Sequence, residues 1–165
     1  MVILVMGVSG AGKSTVGRRL ADALGWQFSD GDEFHSPENI DKMRHSLPLT
    51  DADREPWLEG LHAAVAEWVR RGQSAVLACS VLKASYRERV ASGYRNQVAV
   101  VYLKGSFEMF RQRVAQRPDH FMRQELLASQ FAILEEPAEA IVVDAALPPD
   151  EIVQKIRSAI GRERD

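Results

Sequence analysis

The chain has 165 residues, of which 45% are hydrophobic, a formal net charge of −2 and one cysteine. That is the size of one domain with one buried core, and the near-neutral charge excludes a broad basic surface, so neither nucleic acid nor an anionic membrane is expected as the main partner. Cys79 alone excludes an intramolecular disulfide and fits a reducing compartment. The apolar start, Val2 to Met6, is too short to span a bilayer, and no signal-peptide pattern surrounds it. A cytoplasmic, single-domain protein is the expectation.

Taken in order, "VILVM" reads as a strand buried on both faces. Val16, Leu20, Ala21 and Leu24 recur at helical spacing, and Gly25 ends that helix. "WQFS" is a weak second strand ending near Asp30. Ser36-Pro37 pairs an N-cap with proline at the first helical position, predicting a short helix towards His45. Thr50 and Asp53 have capping-box spacing for a long helix that Gly72 closes. Ser74–Ala78 is a third strand, Tyr86–Ala91 a short helix, and Val98–Leu103 a fourth strand. Ser106 caps the next helix, Pro118 interrupts the chain, and a further helix crosses Leu126, Leu127, Phe131 and Leu134. Ala140–Ala145 is a fifth strand, and Pro148-Pro149 opens a last helix.

Continuous apolar strands alternating with helices predict an α/β fold, a parallel sheet covered on both faces. Ligands of such sheets bind at the C-terminal strand ends, so the residues following each strand carry the functional reading. After the first comes "GVSGAGKS", a full G-x-x-x-x-G-K-[ST] match between strand and helix. Small residues at Gly7, Gly10, Ala11 and Gly12 let backbone amides curl around a phosphate; Lys13 adds a cation near the β- and γ-phosphates, Ser14 a hydroxyl for Mg²⁺, and Thr15 completes the stretch expected to cradle the phosphates.

After the second strand, Asp30 and Asp32 flank Gly31. Phosphoryl transfer to an alcohol needs a carboxylate for the hydroxyl proton and a means to hold Mg²⁺, and two aspartates can divide those roles. The third strand ends in Cys79 and Ser80, where many such proteins place a metal-binding aspartate, so Asp30 is the expected supplier. Cys79 itself reads as a small buried residue. Lys83 fits either a substrate contact or a solvated helix start. Arg111, Arg113, Arg117 and Arg123 gather around Pro118, and Arg117 at the break suits a lid closing over the transferring group, with Arg111 on a solvated face. Trp57 and Trp68 read as core, His45 and His62 as surface, and His35 and His120 lie in the two functional loops.

These residues resemble the gluconate kinases, of the shikimate-kinase-like branch of P-loop kinases. "MGVSGAGKST", "DGDEFHSPENIDKM", "PLTDADREPWL", "CSVLKASYRERV", "VYLKG" and "HFMRQELLASQFAILEEP" look like that family's segments in the right order. The resemblance implies a P-loop kinase with a five-stranded parallel sheet in the order 2-3-1-4-5, a helical lid over about residues 113–135, and ATP with Mg²⁺. It also implies transfer of phosphate to the 6-hydroxyl of D-gluconate, and a homodimer. In that scheme Asp32 accepts the hydroxyl proton, Ser14 and Asp30 hold Mg²⁺, and Lys13 and Arg117 offset the charge of the transferring group. Arg113 lies on the nucleotide side, and His35, Arg54 and Lys83 on the gluconate side. Departures from the family pattern stand at Ser46, where glycine is frequent, and at Val81, Asp119 and Arg123. Another small-molecule kinase and a nucleotide-hydrolysing switch are the rival readings; the switch lacks a recognisable hydrolytic-water or partner motif.

Overall fold

A computed structural model of the protein describes residues 1–116 and 120–162. Its five parallel strands are β1 (Val2–Met6), β2 (Gln27–Asp30), β3 (Ala75–Ala78), β4 (Val98–Lys104) and β5 (Ile141–Asp144). They lie in the order β2-β3-β1-β4-β5, as expected. The central β1 is fully apolar because it pairs on both edges, with β3 and β4, and is covered on both faces; all five of its residues have no exposed surface. The edge strands β2 and β5 are only partly buried, which is why β2 is faint in the sequence.

Among the described residues, seven helices connect and cover the strands: α1 (Lys13–Leu24), α2 (Pro37–Arg44), α3 (Asp51–Arg70), α4 (Ala84–Ala91), α5 (Phe107–Ala115), α6 (His120–Ile133) and α7 (Pro149–Arg162). The expected caps form. The Ser36 and Ser106 hydroxyls accept from Asn39 N–H and Met109 N–H, and Thr50 and Asp53 make a reciprocal capping box. α6 begins at His120, earlier than its apolar spacing indicates. Leu127 on α6 is fully buried, and Phe131 one turn on meets Phe107 and Phe110 of α5, so α6 packs down on its neighbour. Two short 3₁₀ turns, Gly31–Phe34 and Arg95–Gln97, have no counterpart in the sequence reading. Trp57 is core, as expected, and Trp68 packs against the core's edge.

Ser46 closes α2 in a backbone conformation that glycine adopts more readily. Its N–H donates to Met43 O and Leu47 N–H to Lys42 O, the paired bonds of a Schellman cap. That cap requires a left-handed residue, and Ser46 adopts φ 55°, the one positive φ of a non-glycine residue among those described. A side chain in this region costs about 1–2 kcal/mol relative to glycine. Ser46→Gly is therefore expected to raise unfolding free energy by about 1 kcal/mol in urea titrations, with activity unchanged.

Candidate active site

The loop after β1 turns back at once. Ala11 N–H donates to Val8 O at 3.1 Å, so the Ala11 amide, one of those expected to face phosphate, is turned into the loop instead. Lys13 Nζ reaches Val8 O at 3.1 Å, folding its cation over the same turn. Gly12 caps α1 in the left-handed region at φ 90°, which only glycine adopts readily, so the amides of Gly12 and the first turn gather at the positive end of α1. Among the described residues no protein acceptor meets the Gly10 or Gly12 N–H. Thr15 is exposed on the first turn, and Gly7 is buried at the base of the loop.

Asp30 is the hinge between this loop and β2. Its Oδ2 accepts from Ser14 Oγ at 2.6 Å, and its Oδ1 accepts from Asp32 N–H at 3.0 Å. One carboxylate thus fixes both the hydroxyl proposed for the metal and the turn that presents Asp32. The turn can lie this close to β3 because Gly31 has no side chain: a Cβ there would stand 2.5 Å from Cys79 Cβ and 2.9 Å from Ala78 O. Trp57 Nε1–H donates to Gly31 O at 2.8 Å and pins the turn from α3.

Asp32 stands solvent-exposed beside the phosphate loop, in the turn held by Asp30. Desolvation raises its carboxyl above the usual carboxylate range; Lys13 draws it down and Asp30 pushes it up, both by smaller amounts. Cys79 is fully buried behind the turn, and desolvation pushes its thiol up to about 12, consistent with an inert packing residue.

Arg54 and Lys83, expected from sequence to face the acceptor, are drawn together by two side chains that the sequence reading missed, Tyr86 and Asp51. Arg54 Nη1 donates to Leu49 O at 2.5 Å and to Tyr86 OH at 3.3 Å. Lys83 Nζ donates to both oxygens of Asp51, at 3.0 and 3.2 Å, and Tyr86 OH donates to Asp51 Oδ1 at 2.5 Å. Both cations sit 5.5 Å from the Tyr86 ring centroid. The helical spacing was the available signal: Asp51 lies three residues before Arg54, and Tyr86 three after Lys83, each pair one turn apart. His35 stacks on Trp57, ring centroids 4.5 Å apart. Burial, with the Arg54 charge second, lowers its pKa to about 4, so it is neutral at physiological pH. Its Nδ1 faces Asn39 Nδ2 at 3.4 Å, a donor, which places the His35 proton on Nε2.

The arginines gathered around Pro118 divide. Arg113 Nη1 donates to Gly10 O at 3.1 Å and Nη2 to Ala145 O at 2.6 Å, tying the phosphate loop to the segment after β5. Arg111 pairs with Glu108 on the surface, as expected for a solvated face. Arg117 and Asp119 lie outside the described residues, as do the side chains of His120 and Arg123. His45 is exposed, whereas His62, read as surface, is half-buried with Nδ1 against Val90 O. No group of three or more His, Cys, Asp or Glu side chains suited to a metal occurs among the described residues, and none of their helices is long and apolar enough to cross a membrane.

A parallel sheet with this loop at the end of its central strand, and a carboxylate pair beside it, defines a P-loop kinase. A family profile described as an AAA domain matches residues 2–141. The chain is 45% identical to a probable gluconokinase of Mus musculus over 96% of its length and 97% of that protein's. It is 43% identical to a gluconokinase of Gluconobacter oxydans, covering 93% of this chain and 88% of that one. The crystal structure of a gluconokinase from Sinorhizobium meliloti superimposes with a TM-score of 0.86 at 42% identity, covering 98% of this chain and 91% of that one. The chain belongs to the gluconokinase family.

His35 supplies a pH test of the site's packing. Its folded pKa lies below its unfolded value, so between 6.5 and about 4 the unfolded chain binds more protons and stability falls as pH falls. Chemical denaturation across that window is expected to show this loss, and His35→Phe, which keeps a ring over Trp57, to flatten it.

Proposed function

We propose that this chain transfers the γ-phosphoryl group of ATP to the 6-hydroxyl of D-gluconate, giving 6-phospho-D-gluconate and ADP. The observation that carries this reading is the Asp30–Asp32 turn held to Ser14 beside the phosphate loop, in a chain whose gluconokinase relatives align over nearly its full length. The loop amides and the positive end of α1 would bind the phosphates, with Gly7, Gly10, Gly12, Ser14 and Thr15 leaving room for them. Lys13 would offset charge on the group in transit. Ala11 contributes by its size and its turn, since its amide is bonded within the loop.

Asp32 is the proposed proton acceptor. A raised carboxyl pKa makes a better base than an ordinary aspartate, provided the pH stays above it. Arg54 and Lys83, with Tyr86 between them, would receive the gluconate carboxylate and hydroxyls, a planar guanidinium suiting the carboxylate. That requires the Asp51 carboxylate, which now occupies Lys83 and Tyr86, to share or yield them. Neutral His35 would offer its Nε2–H to an acceptor oxygen. Arg113, linking the loop to the segment after β5, would border the nucleotide, and Arg117 would close over the phosphates as part of a lid spanning about residues 113–135.

The hard oxygen donors of Ser14 and Asp30, 2.6 Å apart, suit Mg²⁺, which takes few protein ligands alongside phosphate and water. Bound there with ATP, Mg²⁺ would neutralise phosphate charge. A homodimeric, cytoplasmic enzyme completes the proposal, supported by the family resemblance and the single reduced cysteine.

A coupled ADP-release assay over sugar acids, shikimate and nucleotides tests the acceptor. Release that depends on gluconate is expected; release with shikimate instead, or with no acceptor at all, would overturn the reading. Asp32→Asn is expected to lower kcat by roughly 10²–10⁴-fold. Because the native carboxylate titrates above its ordinary value, its charge opposes folding at neutral pH, so the same variant should be no less stable in thermal unfolding. A variant with near-normal turnover would remove Asp32 from the chemistry.

A further inference from the structure

The phosphate loop is gripped by a side chain from outside the loop motif. Gln130 of α6 accepts from Ser9 N–H through Oε1 at 2.7 Å, across 121 residues of sequence. Ser9 is the third residue of the loop, immediately before Gly10, whose carbonyl is held by Arg113 of α5. The apex is also seated sterically: a Cβ at Gly10 would lie 3.3 Å from Val114 Cγ2 and 3.4 Å from Phe110 O. So α5 and α6 clasp the apex together, α5 by its surface and Arg113, α6 by Gln130. Gln130 is placed with little freedom, because buried Leu127 lies one turn before it and Phe131 beside it packs on Phe107 and Phe110.

Resting on the kinase reading above, we propose that Gln130 is a positioning residue for nucleotide binding. It takes the Ser9 amide out of the set that faces phosphate and, in doing so, sets the angle at which the Gly10 and Gly12 amides are presented. A backbone donor at a half-buried loop apex needs an acceptor; without Gln130 the Ser9 N–H would seek another by reorienting the peptide, and the neighbouring Gly10, with φ +83° and no side chain, would let it turn. The amide cradle would then be less preorganised, and phosphate affinity would fall with no contact between Gln130 and nucleotide. Gln130 thereby couples α6 to the loop.

The test uses the full chain with Gln130→Met, which keeps the length and packing of the side chain but removes the oxygen, and Gln130→Leu as a second form of the same change. In the nucleotide-free protein, amide exchange at Ser9, read by NMR, should speed up about tenfold, while β1 amides are unchanged. The dissociation constant for ATP, titrated without gluconate, and the KM for ATP should rise by a similar factor, with the KM for gluconate unaltered. Gln130→Glu retains an acceptor oxygen and should keep Ser9 exchange near wild type. Unchanged Ser9 exchange or unchanged ATP affinity in Gln130→Met and Gln130→Leu overturns the inference, as does equal acceleration in Gln130→Glu. Since binding is measured without the acceptor, a wild-type chain that binds ATP but phosphorylates no gluconate would refute the proposed function and leave this inference standing.

Discussion

The site depends on one constraint: anions must be met by backbone, and backbone can be gathered only where side chains are absent and a rigid strand stops. β1 supplies the stop. It has no exposed surface and hydrogen-bonds along both edges, so the chain leaving it has a fixed origin. The glycine at the start of α1 then turns the first amides toward the mouth of the sheet, where the helix dipole reinforces them. Ser14 on that first turn reaches Asp30 at the end of β2, and Asp30 in turn fixes Asp32. The proposed metal and proton-accepting groups are therefore positioned by the same strand stop that positions the phosphate loop.

The end of β3 shows how a departure from the usual P-loop arrangement is accommodated. With Cys79 in place of an acidic residue, no carboxylate projects from β3, and a thiol buried there does not ionise. Its modest size instead allows the Asp30–Asp32 turn to approach β3, an approach that also demands glycine at position 31. The two positions are a matched pair: a bulkier residue at either would push the turn outward and part Asp30 from Ser14. The proposed placing of the metal carboxylate on β2 rather than β3 is thus a packing solution as much as an electrostatic one.

What could be read from the sequence was what local physics determines. The loop motif, the helix caps at Ser36, Thr50 and Ser106, and the buried runs of β1, β3 and β4 all declare themselves within a few residues. The 2-3-1-4-5 order came with the resemblance, because strand order is non-local. Tyr86 and Asp51 were missed although each lies one helical turn from a residue that was singled out; their meeting joins two helices, and no local pattern encodes it. Gln130 is the extreme case, polar in a helix whose apolar spacing marks only what packs. Ser46 is the reverse: its place in the chain was noticed, but its left-handed backbone became visible only with the Schellman bonds around it.

α6 carries the consequences furthest. Its last turn holds the phosphate loop through Gln130; just past that same end, Glu135 and Glu136 reach the start of α4 and β4. Glu135 N–H donates to Leu82 O, and its carboxylate accepts from Ala84 N–H, capping α4 where Lys83 provides no side-chain cap of its own. Glu136 pairs with Lys104 and accepts from Tyr102 OH. α4 begins beside Lys83 and carries Tyr86, so the proposed acceptor side of the site and the phosphate loop are both bonded to the α6 segment. These contacts lie close together at one end of α6, and a shift of that end would therefore move the loop apex and the start of α4 together. The two substrates of the proposed reaction would meet groups whose relative position is set by a single element, which is how a phosphoryl donor and its acceptor can be aligned by packing that neither of them touches.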